Sequence, residues 1–372
     1  MPGVVGITAE FNPFHEGHRY LIDKTASALR PEAVVSVMSG DFVQRGGPAC
    51  FDKWTRAVQA VKGGIDLVVE LPAVFAVSSA DDFARGAVTV LKGLGVDTIA
   101  FGSEAGSAVT LAEAAGVLAD AENMRRNEIK TELSKGISYP AAMMNVIKRF
   151  RPDLDEDLFT LPNNLLALQY IKNARGLDFF TITRTESYRA SEIRAKMQLD
   201  TDRMSEAERR YFELIRYTVL RTNTREIENT ASAGEGLANR LKSEIRAASS
   251  VDDLIGRVKS KRYTHTRIGR LLTQMLLGIT RESIDDAVGY IRPLAFNDKG
   301  AVLLRHIRNG GACTLPFVDS AAKVIKAAGP LARTLSFDVL ASDLYALITD
   351  GDLYSDSDYI MKPISVKTNN AN

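Results

Sequence analysis

The first hundred residues alternate short β-branched segments with longer amphipathic ones, and this alternation constrains the fold more than any other feature of the chain. Four apolar segments are predicted strands: Val4–Ala9, Ala33–Met38, Asp66–Glu70 and Thr98–Phe101. Between them, apolar residues at helical spacing predict helices over Gly17–Leu29, Asp52–Lys62 and Asp81–Leu94. Strands that alternate with helices build βαβ units. The sequence therefore predicts an α/β fold with an open, doubly wound parallel sheet.

The second half of the chain is predicted to be mainly helical. A fifth βα unit first returns to the sheet, with a strand over Phe179–Arg184 and a helix over Ala190–Met197. Helical spacing then covers Ser205–Leu220, Glu235–Ala248, Val251–Val258, Thr264–Leu277, Ala301–Arg308 and Pro330–Ile348. One more strand is predicted near Tyr290–Leu294, and the polar last 15 or so residues are expected to fray. Because 372 residues exceed the usual size of one core, we expect two domains, residues 1–200 and 201–372.

Composition and sequence patterns argue against a disordered, disulfide-rich, zinc-binding or membrane-spanning protein. The chain is 45% hydrophobic and 25% charged, as ordinary folded proteins are. Its 47 basic and 46 acidic residues give a net charge of +1, so a nucleic-acid partner would require a local basic patch. Cys50 and Cys313 stand far apart without a CxxC pair, which predicts neither disulfides nor a metal site. No targeting segment or apolar run of about 20 residues is present, so the expected location is the cytoplasm, with no membrane partner.

The segment FNPFHEGHRYL, residues 11–21, follows the first predicted strand directly. In open α/β sheets, ligands bind at the carboxyl ends of the strands, where a helix N-terminus offers free N–H groups to a phosphate. His15 and His18 are three residues apart and share a face of the first helical turn, and Gly17 lets a ligand approach the backbone. Two imidazoles beside free N–H groups are suited to a polyphosphate.

Other readings of this segment fit less well. A zinc protease pair requires histidines at i and i+4, whereas HEGH is one residue short, and His265 and His306 are remote in sequence. Solvated surface histidines remain an alternative, which the position after the first strand disfavours. The chain has no GxGxxG after the first strand and no GxxxxGK[ST]. A histidine-based phosphate site is the remaining hypothesis.

HEGH has the HxGH form of the nucleotidylyltransferase superfamily, and the wider sequence is similar to a narrower family. The segments AEFNPFHEGHRYL, SGDFVQRGGPACFDKWTRA, DLVVELP, SSADDFARGAV, FGSE, LPNNLLALQYI and YRASEIR resemble, in order, the tRNA(Met) cytidine acetate ligase family. They run from Ala9 to Arg194, about half of the chain. The helical remainder, including KRYTHTRIGRLL and YIRPLAFNDKGAVLL, is also similar. The resemblance implies a Rossmann-like sheet of the HxGH nucleotidylyltransferase type, followed by a mainly helical domain that binds tRNA.

The resemblance also implies a two-step reaction. Acetate and ATP, with Mg²⁺ expected beside the ATP, give acetyl-adenylate and pyrophosphate; the acetyl group then passes to N4 of the wobble cytidine of elongator tRNA(Met). Carried over to matching positions, the ATP contacts include Gly102, either Asn163 or Asn164, and Arg184. The segment after the first strand supplies the others: Thr8, Ala9, Glu10, Phe11, Asn12, Pro13, Phe14, His15, Gly17, His18 and Leu21. A tight turn at Gly102 and a helix N-cap at the asparagines are alternatives that do not involve a ligand.

The chemistry of such a reaction requires fixed donors and cations, because negative charge builds up on phosphorus and on the departing pyrophosphate. His15 and His18 are expected to act at the phosphates, and Arg194 is expected to close on the leaving group with Arg184. Lys53, like Arg56, is a further candidate for acetate or phosphate contact. Each base alone is better explained as an ordinary solvated side chain, and only the combination favours a functional role. Glu16 departs from the asparagine expected in many relatives; either it faces solvent or the local contacts differ.

The densest basic stretch is GRVKSKRYTHTRIGR, and it is the predicted RNA contact. The candidates are Lys259, Lys261, Arg262, Arg267 and Arg270, with Tyr263 to stack on an unpaired base. A solvated helix face paired with acidic neighbours is the alternative. Two other functions remain open on the residues alone: a small-molecule adenylyl- or cytidylyltransferase of the same superfamily, and a binding module that has lost catalysis.

Overall fold

The chain folds around one seven-stranded sheet. The computed structural model describes residues 3–184, 201–234, 236–310, 313–349, 351, 353–354 and 357–367. The strands are β1 Val4–Ala9, β2 Ala33–Ser39, β3 Leu67–Leu71, β4 Thr98–Ser103, β5 Asp178–Thr183, β6 Pro293–Phe296 and β7 Ile364–Ser365. Their order across the sheet is β5-β4-β1-β2-β3-β6-β7.

Helices surround the sheet and form most of the second half. Those of the first half are α1 Glu16–Leu29, α2 Lys53–Lys62, α3 Ala73–Ala76, α4 Ala80–Gly93, α5 Ala108–Met124, α6 Arg126–Ser134, α7 Tyr139–Phe150, α8 Asp157–Thr160 and α9 Pro162–Asn173. Those of the second half are α10 Thr201–Arg221, α11 Thr224–Glu228, α12 Leu237–Glu244, α13 Val251–Val258, α14 His265–Leu277, α15 Arg281–Asp285, α16 Asp298–Asn309, α17 Ala321–Ala327 and α18 Pro330–Thr349. The predicted helix Ala190–Met197 lies outside the described residues.

The sheet is parallel from β5 to β3, as the alternating sequence pattern predicts. β1 pairs in parallel with β2 on one side and with β4 on the other, and β4 pairs in parallel with β5. Every residue of β2 and β3 is buried, as expected for strands covered on both faces. Neighbouring residues point to opposite faces: Val34 packs with α1 and α2 in one apolar cluster, and Val35 belongs to the other.

The second half also contributes to the sheet. β6 pairs antiparallel with β3, placing Ala295 opposite Val68, and β7 pairs in parallel with β6. The predicted strand near Tyr290–Leu294 is thus present, shifted toward Phe296. The division into residues 1–200 and 201–372 stays a prediction, and the sheet includes strands from both ranges.

The expectation of a frayed C-terminus is wrong for residues 357–367. Asp358 is 2% exposed and Val366 is 8% exposed, and β7 lies between them. Within this segment, Asp358 forms ion pairs with the buried cations Lys53 and Arg292. Among the described helices, none combines the length and the apolar character needed to span a bilayer.

Candidate active site

The candidate site lies where the strand order reverses. Successive strands are added on one side of β1 as β2 and β3, and then on its other side as β4 and β5. The connections after β1 and β4 therefore diverge and leave a crevice at the carboxyl ends of these two strands, where open α/β sheets bind ligands. Thr8 and Ala9 end β1 at this edge, and Gly102 lies near the end of β4.

His15 and His18 cap the helix that begins at this edge. Nδ1 of His15 accepts a hydrogen bond from the Gly17 N–H at 3.0 Å, and Nδ1 of His18 accepts one from the His15 N–H at 3.2 Å. This reciprocal arrangement is a capping box made of imidazoles. With Nδ1 as the acceptor, the hydrogen of each neutral ring is on Nε2. The spacing of three residues thus fixes both the cap and the tautomers.

The two rings are stacked, and the surroundings keep His18 uncharged. The ring centroids of His15 and His18 are 3.8 Å apart, and Phe11 lies edge-on to His18 at 5.0 Å. Burial lowers the pKa of His18 well below its usual range, and the positive charges of His15 and Arg184 lower it further. His18 can therefore donate a hydrogen bond near neutral pH without carrying charge. Glu16 is exposed, as one of the two alternatives for this residue required.

The loop between β1 and α1 is held by neighbouring backbone. Phe11 has φ 44°, in the left-handed region, and Asn12 precedes Pro13 through a cis peptide. The Asn12 side chain accepts from the Cys50 N–H at 2.8 Å, and Glu10 Oε1 accepts from the Gln44 N–H at 2.9 Å. These contacts hold the rest of the segment that was predicted to bind ATP. Within that segment, Phe14 and Leu21 pack on the apolar cluster below α1.

Arg56 ties the loops after β1 and β2 together. It is fully buried, and its guanidinium donates to the carbonyls of Glu10, Ser39, Gly40 and Phe51. A guanidinium whose donors are taken up by backbone carbonyls has a positioning role. The structure therefore contradicts the sequence-based hypothesis that Arg56 contacts acetate or phosphate.

At the other side of the crevice, the two asparagines have different environments. Asn164 is 1% exposed; its side chain accepts from the Ala105 N–H at 3.0 Å and donates to the Asp157 carbonyl at 3.0 Å. Asn163 is partly exposed, and its Oδ1 accepts from Nη1 of Arg184 at 2.7 Å. Glu104 binds both, through the Asn163 side chain at 2.6 Å and the Asn164 N–H at 2.8 Å. Of the two asparagines, only Asn163 contacts Arg184 at the crevice.

Gly102 makes room for Arg184. A Cβ on Gly102 would lie 2.9 Å from Cγ of Arg184, closer than real side chains approach. Burial lowers the pKa of Arg184, the carboxylate of Glu104 opposes this shift, and the charge of Arg45 adds to it. A guanidinium at this edge, close to His18, is placed to meet an anion in the crevice.

Known proteins share this architecture. The family model described as HIGH Nucleotidyl Transferase matches residues 3–201 and 189–358. A tRNA(Met) cytidine acetate ligase from Acetivibrio thermocellus is 32% identical over 394 residues, which cover 92% of this chain and 94% of that protein. The chain belongs to the tRNA(Met) cytidine acetate ligase family. A second relative of the same name, from Clostridium novyi, is 31% identical over 98% of this chain and 100% of its own length.

Solved structures of this family agree with the fold. The crystal structure of Thermotoga maritima TmcAL bound with alpha-thio ATP has a TM-score of 0.89 and 28% sequence identity, covering 98% of this chain and 100% of that one. The apo form I of the same protein gives a TM-score of 0.87. The family and the fold class predicted from the sequence motifs are confirmed.

Lys53 lies in a buried ion cluster rather than at the crevice edge. Its side chain is 1% exposed, and Nζ lies 2.7 Å from both Glu70 Oε1 and Asp358 Oδ2. Arg292 binds the same two carboxylates at 2.8 Å. Burial alone would lower the pKa of Lys53, but these carboxylates and Asp41 raise it above its usual value. We therefore expect Lys53 to hold the fold in this family member instead of contacting acetate or phosphate.

Arg194, the predicted partner of Arg184 at the leaving group, lies outside the described residues. Where the chain is described, no three His, Cys, Asp or Glu side chains lie close enough together to hold a metal ion.

Some side chains of the basic stretch are exposed, and others pack against or hydrogen-bond to the rest of the protein. Lys259 and Lys261 are exposed, and Arg262 is partly exposed. Tyr263 is 6% exposed and lies under the guanidinium groups of Arg262 and Arg267, at 5.8 and 5.2 Å. Its ring is thus covered by arginines and is not presented to a base, contrary to the stacking role predicted from the sequence.

Arg267 and Arg270 lie on α14 with different surroundings. Arg267 donates to the carbonyls of Ser232 and Ala233 at 3.1 and 2.8 Å. Nε of Arg270 is buried, and among the described residues it has no hydrogen-bond partner.

Sequence reasoning missed Arg45, which precedes two glycines with positive φ in the loop after β2. The pair Gly46-Gly47 was the available signal, because such a loop is built for close approach to another backbone.

Proposed function

We propose that this protein activates acetate with ATP and transfers the acetyl group to N4 of the wobble cytidine of elongator tRNA(Met). The single observation that carries the proposal is the pair of capping imidazoles at the sheet crevice, in a chain that belongs to the tRNA(Met) cytidine acetate ligase family. A related structure is described as bound with alpha-thio ATP. The names of the relatives favour this function over a small-molecule nucleotidylyltransferase.

In the first step, a carboxylate oxygen of acetate attacks the α-phosphorus of ATP, and pyrophosphate leaves. No protein nucleophile is required. We assign the phosphates to Nε2–H of His15 and His18, to the positive end of the α1 helix dipole, and to Arg184, all of which stabilise developing negative charge. We propose that Arg194 also contacts the departing pyrophosphate. Fixed donors stabilise the transition state without reorganising, so their contribution depends on geometry rather than on charge alone.

Asn163 is the proposed nucleotide contact at the β4 side. It holds Arg184 at 2.7 Å and is partly exposed, whereas Asn164 has both ends of its amide engaged by backbone. Gly102 lies beneath Arg184 and leaves space for the side chain of that arginine.

Mg²⁺ is the expected companion of ATP. No cluster of three metal-ligating side chains is present among the described residues, and the ATP phosphates together with water molecules would supply most of the ligands of the ion. When bound, the ion neutralises charge on the β- and γ-phosphates.

In the second step, the N4 amine of cytidine attacks the acetyl carbon, loses a proton, and AMP leaves. We propose that residues 201–372 bind the tRNA through the exposed Lys259 and Lys261 and the partly exposed Arg262, and that the protein acts in the cytoplasm. Cys50 and Cys313 are thiols and form no disulfide, which suits that location.

The test combines two assays with [¹⁴C]acetate, ATP, Mg²⁺ and unmodified elongator tRNA(Met). Acetate-dependent exchange of pyrophosphate into ATP reports the first step, and label in RNA reports the second. We expect both, and we expect EDTA to stop both. Exchange without label in RNA would mean another acyl acceptor, and no exchange with acetate would contradict the proposed activity.

A further inference from the structure

The loop after β2 rests directly on the basic helix α14. A Cβ on Gly46 would lie 2.2 Å from the carbonyl carbon of Gly269, and a Cβ on Gly269 would lie 2.6 Å from the Arg45 oxygen. The Gly47 N–H also donates to Thr273 Oγ1 at 2.8 Å. Two glycines thus bring two backbones into contact, and only glycine permits this approach. The contact fixes the position of Arg45 relative to the next helical residue, Arg270.

One N–H of the Arg270 guanidinium has no acceptor in the described part of the chain. This is the Nε group, which is buried. Burial, together with repulsion from Arg267, lowers the pKa of Arg270 to about 10, so the group is still positive at neutral pH. A buried N–H without an acceptor costs stability, and that cost is relieved when an anion accepts a hydrogen bond from it.

Arg45 extends the positive charge toward the crevice. Its side chain is exposed on the loop, and its charge is one of those that lower the pKa of Arg184. Arg184 in turn acts on His18. A continuous series of arginines therefore runs from the crevice to α14: Arg184, Arg45, Arg270 and Arg267. Like charges repel, so a series of this kind is suited to a ligand with several negative charges at regular spacing.

We infer that Arg45 and Arg270 form a phosphate-binding site for the RNA backbone next to the reacting cytidine. The RNA belongs to the proposed function, on which this assignment rests. The imidazoles and Arg184 are assigned to the ATP phosphates. Arg45 and Arg270 lie where the loop after β2 meets α14, the helix that follows the basic stretch beginning at Lys259. Phosphate contacts in this position set the register of the strand, so that one base reaches the acetyl group.

The experiment measures tRNA binding by filter retention over a range of salt concentrations for Arg45→Gln and Arg270→Gln. Each variant should weaken binding about tenfold and reduce the slope of log Kd against log salt by about one, because one phosphate contact is lost. Arg270→Lys should recover most of the slope. Acetate-dependent pyrophosphate exchange should stay within about twofold of wild type. Arg30→Gln, an exposed arginine at the C-terminal end of α1, is the matched control.

Two results would overturn the assignment. If tRNA binding and its salt slope are unchanged in both variants, neither arginine contacts RNA. If pyrophosphate exchange is lost to the same extent as RNA binding, the two arginines contact the ATP phosphates instead. If Arg270→Gln fails to fold, Arg45→Gln decides, because its side chain is exposed. Failure of the proposed function is seen separately, as absence of exchange and of RNA labelling in the wild-type protein.

Discussion

The amide oxygen of Asn163 accepts a hydrogen bond from Nη1 of Arg184 at 2.7 Å, and this contact joins the start of α9 to the end of β5 at the crevice. The neighbouring Asn164 instead connects the backbones of Ala105 and Asp157. The two adjacent asparagines therefore have separable roles, one toward the ligand and one toward the fold.

Asn163→Ala should raise the KM for ATP in pyrophosphate exchange about tenfold and change the Tm little, because a partly exposed hydrogen bond to a charged group is worth about 1.5–3 kcal/mol of binding. Asn164→Ala should lower the free energy of unfolding by about 1–3 kcal/mol, since it removes the side-chain partner of the part-buried Ala105 N–H and Asp157 carbonyl. Urea unfolding and exchange kinetics measure the two effects. If both variants raise the KM for ATP equally and neither changes the stability, the two asparagines do not have separate roles.

His18 offers a sharper test, because its two ring nitrogens have different tasks. An asparagine at this position keeps an acceptor near Nδ1 for the His15 N–H but loses the Nε2 donor. His18→Asn should therefore reduce kcat for pyrophosphate exchange by a factor of about 10²–10³ while the Tm stays near wild type. His18→Gln, which retains a donor near Nε2, should lose less. His306→Ala, an exposed histidine on α16, is the control and should be fully active.

Lys53→Met separates a structural from a catalytic role. Removal of the ammonium leaves Glu70 and Asp358 short of a buried cation, so the free energy of unfolding should fall by about 3–5 kcal/mol. At a temperature where the variant is folded, its KM for acetate should remain within about threefold of wild type. Lys62→Met, an exposed lysine on the same helix, should leave stability unchanged. A stable variant without exchange activity would restore Lys53 to the reaction.

Asp338 predicts a pH dependence of stability. It is buried, accepts from the Ala73 N–H at 2.8 Å and is hydrogen-bonded to the Tyr290 hydroxyl. Burial, assisted by the charge of Glu70, raises the pKa of Asp338 from 3.8 to about 8. The folded state therefore holds this proton more tightly, and its contribution to stability is complete below about pH 4 and is lost as pH rises through about 8.

Asp338→Asn removes this titration, so its free energy of unfolding should fall less than that of wild type between pH 5 and pH 9. Urea unfolding at several pH values measures the difference, and Asp23→Asn, at an exposed position on α1, is the control. Parallel pH profiles for wild type and Asp338→Asn would contradict the raised pKa.

Lys261→Ala combined with Arg262→Ala should weaken tRNA binding and spare pyrophosphate exchange, because Lys261 is exposed and Arg262 partly exposed, on the segment before α14. Loss of two phosphate contacts reduces the slope of log Kd against log salt by about two. Gel shift assays over a salt series measure it. An equal loss of exchange would mean that the two steps are not divided between these regions.

Local sequence patterns were sufficient for the strands and helices around the site. β1 and α13 have the predicted bounds, because apolar periodicity and capping residues act over a few neighbours along the chain. The HxGH spacing likewise determined the capping box, since both of its hydrogen bonds lie within four consecutive residues. The family and the crevice position followed from the same short segments.

The roles of the charged side chains were decided by the tertiary structure. The sequence alone did not distinguish Arg56 and Lys53, which are buried by carbonyls and carboxylates from distant segments, from Arg184 and Arg45 at the crevice. Asp358 lies 305 residues from Lys53, and its ion pair makes an apparently polar tail part of the core. A charge is catalytic, structural or free according to what the fold brings within hydrogen-bond distance, and such long-range contacts leave no local pattern in the sequence.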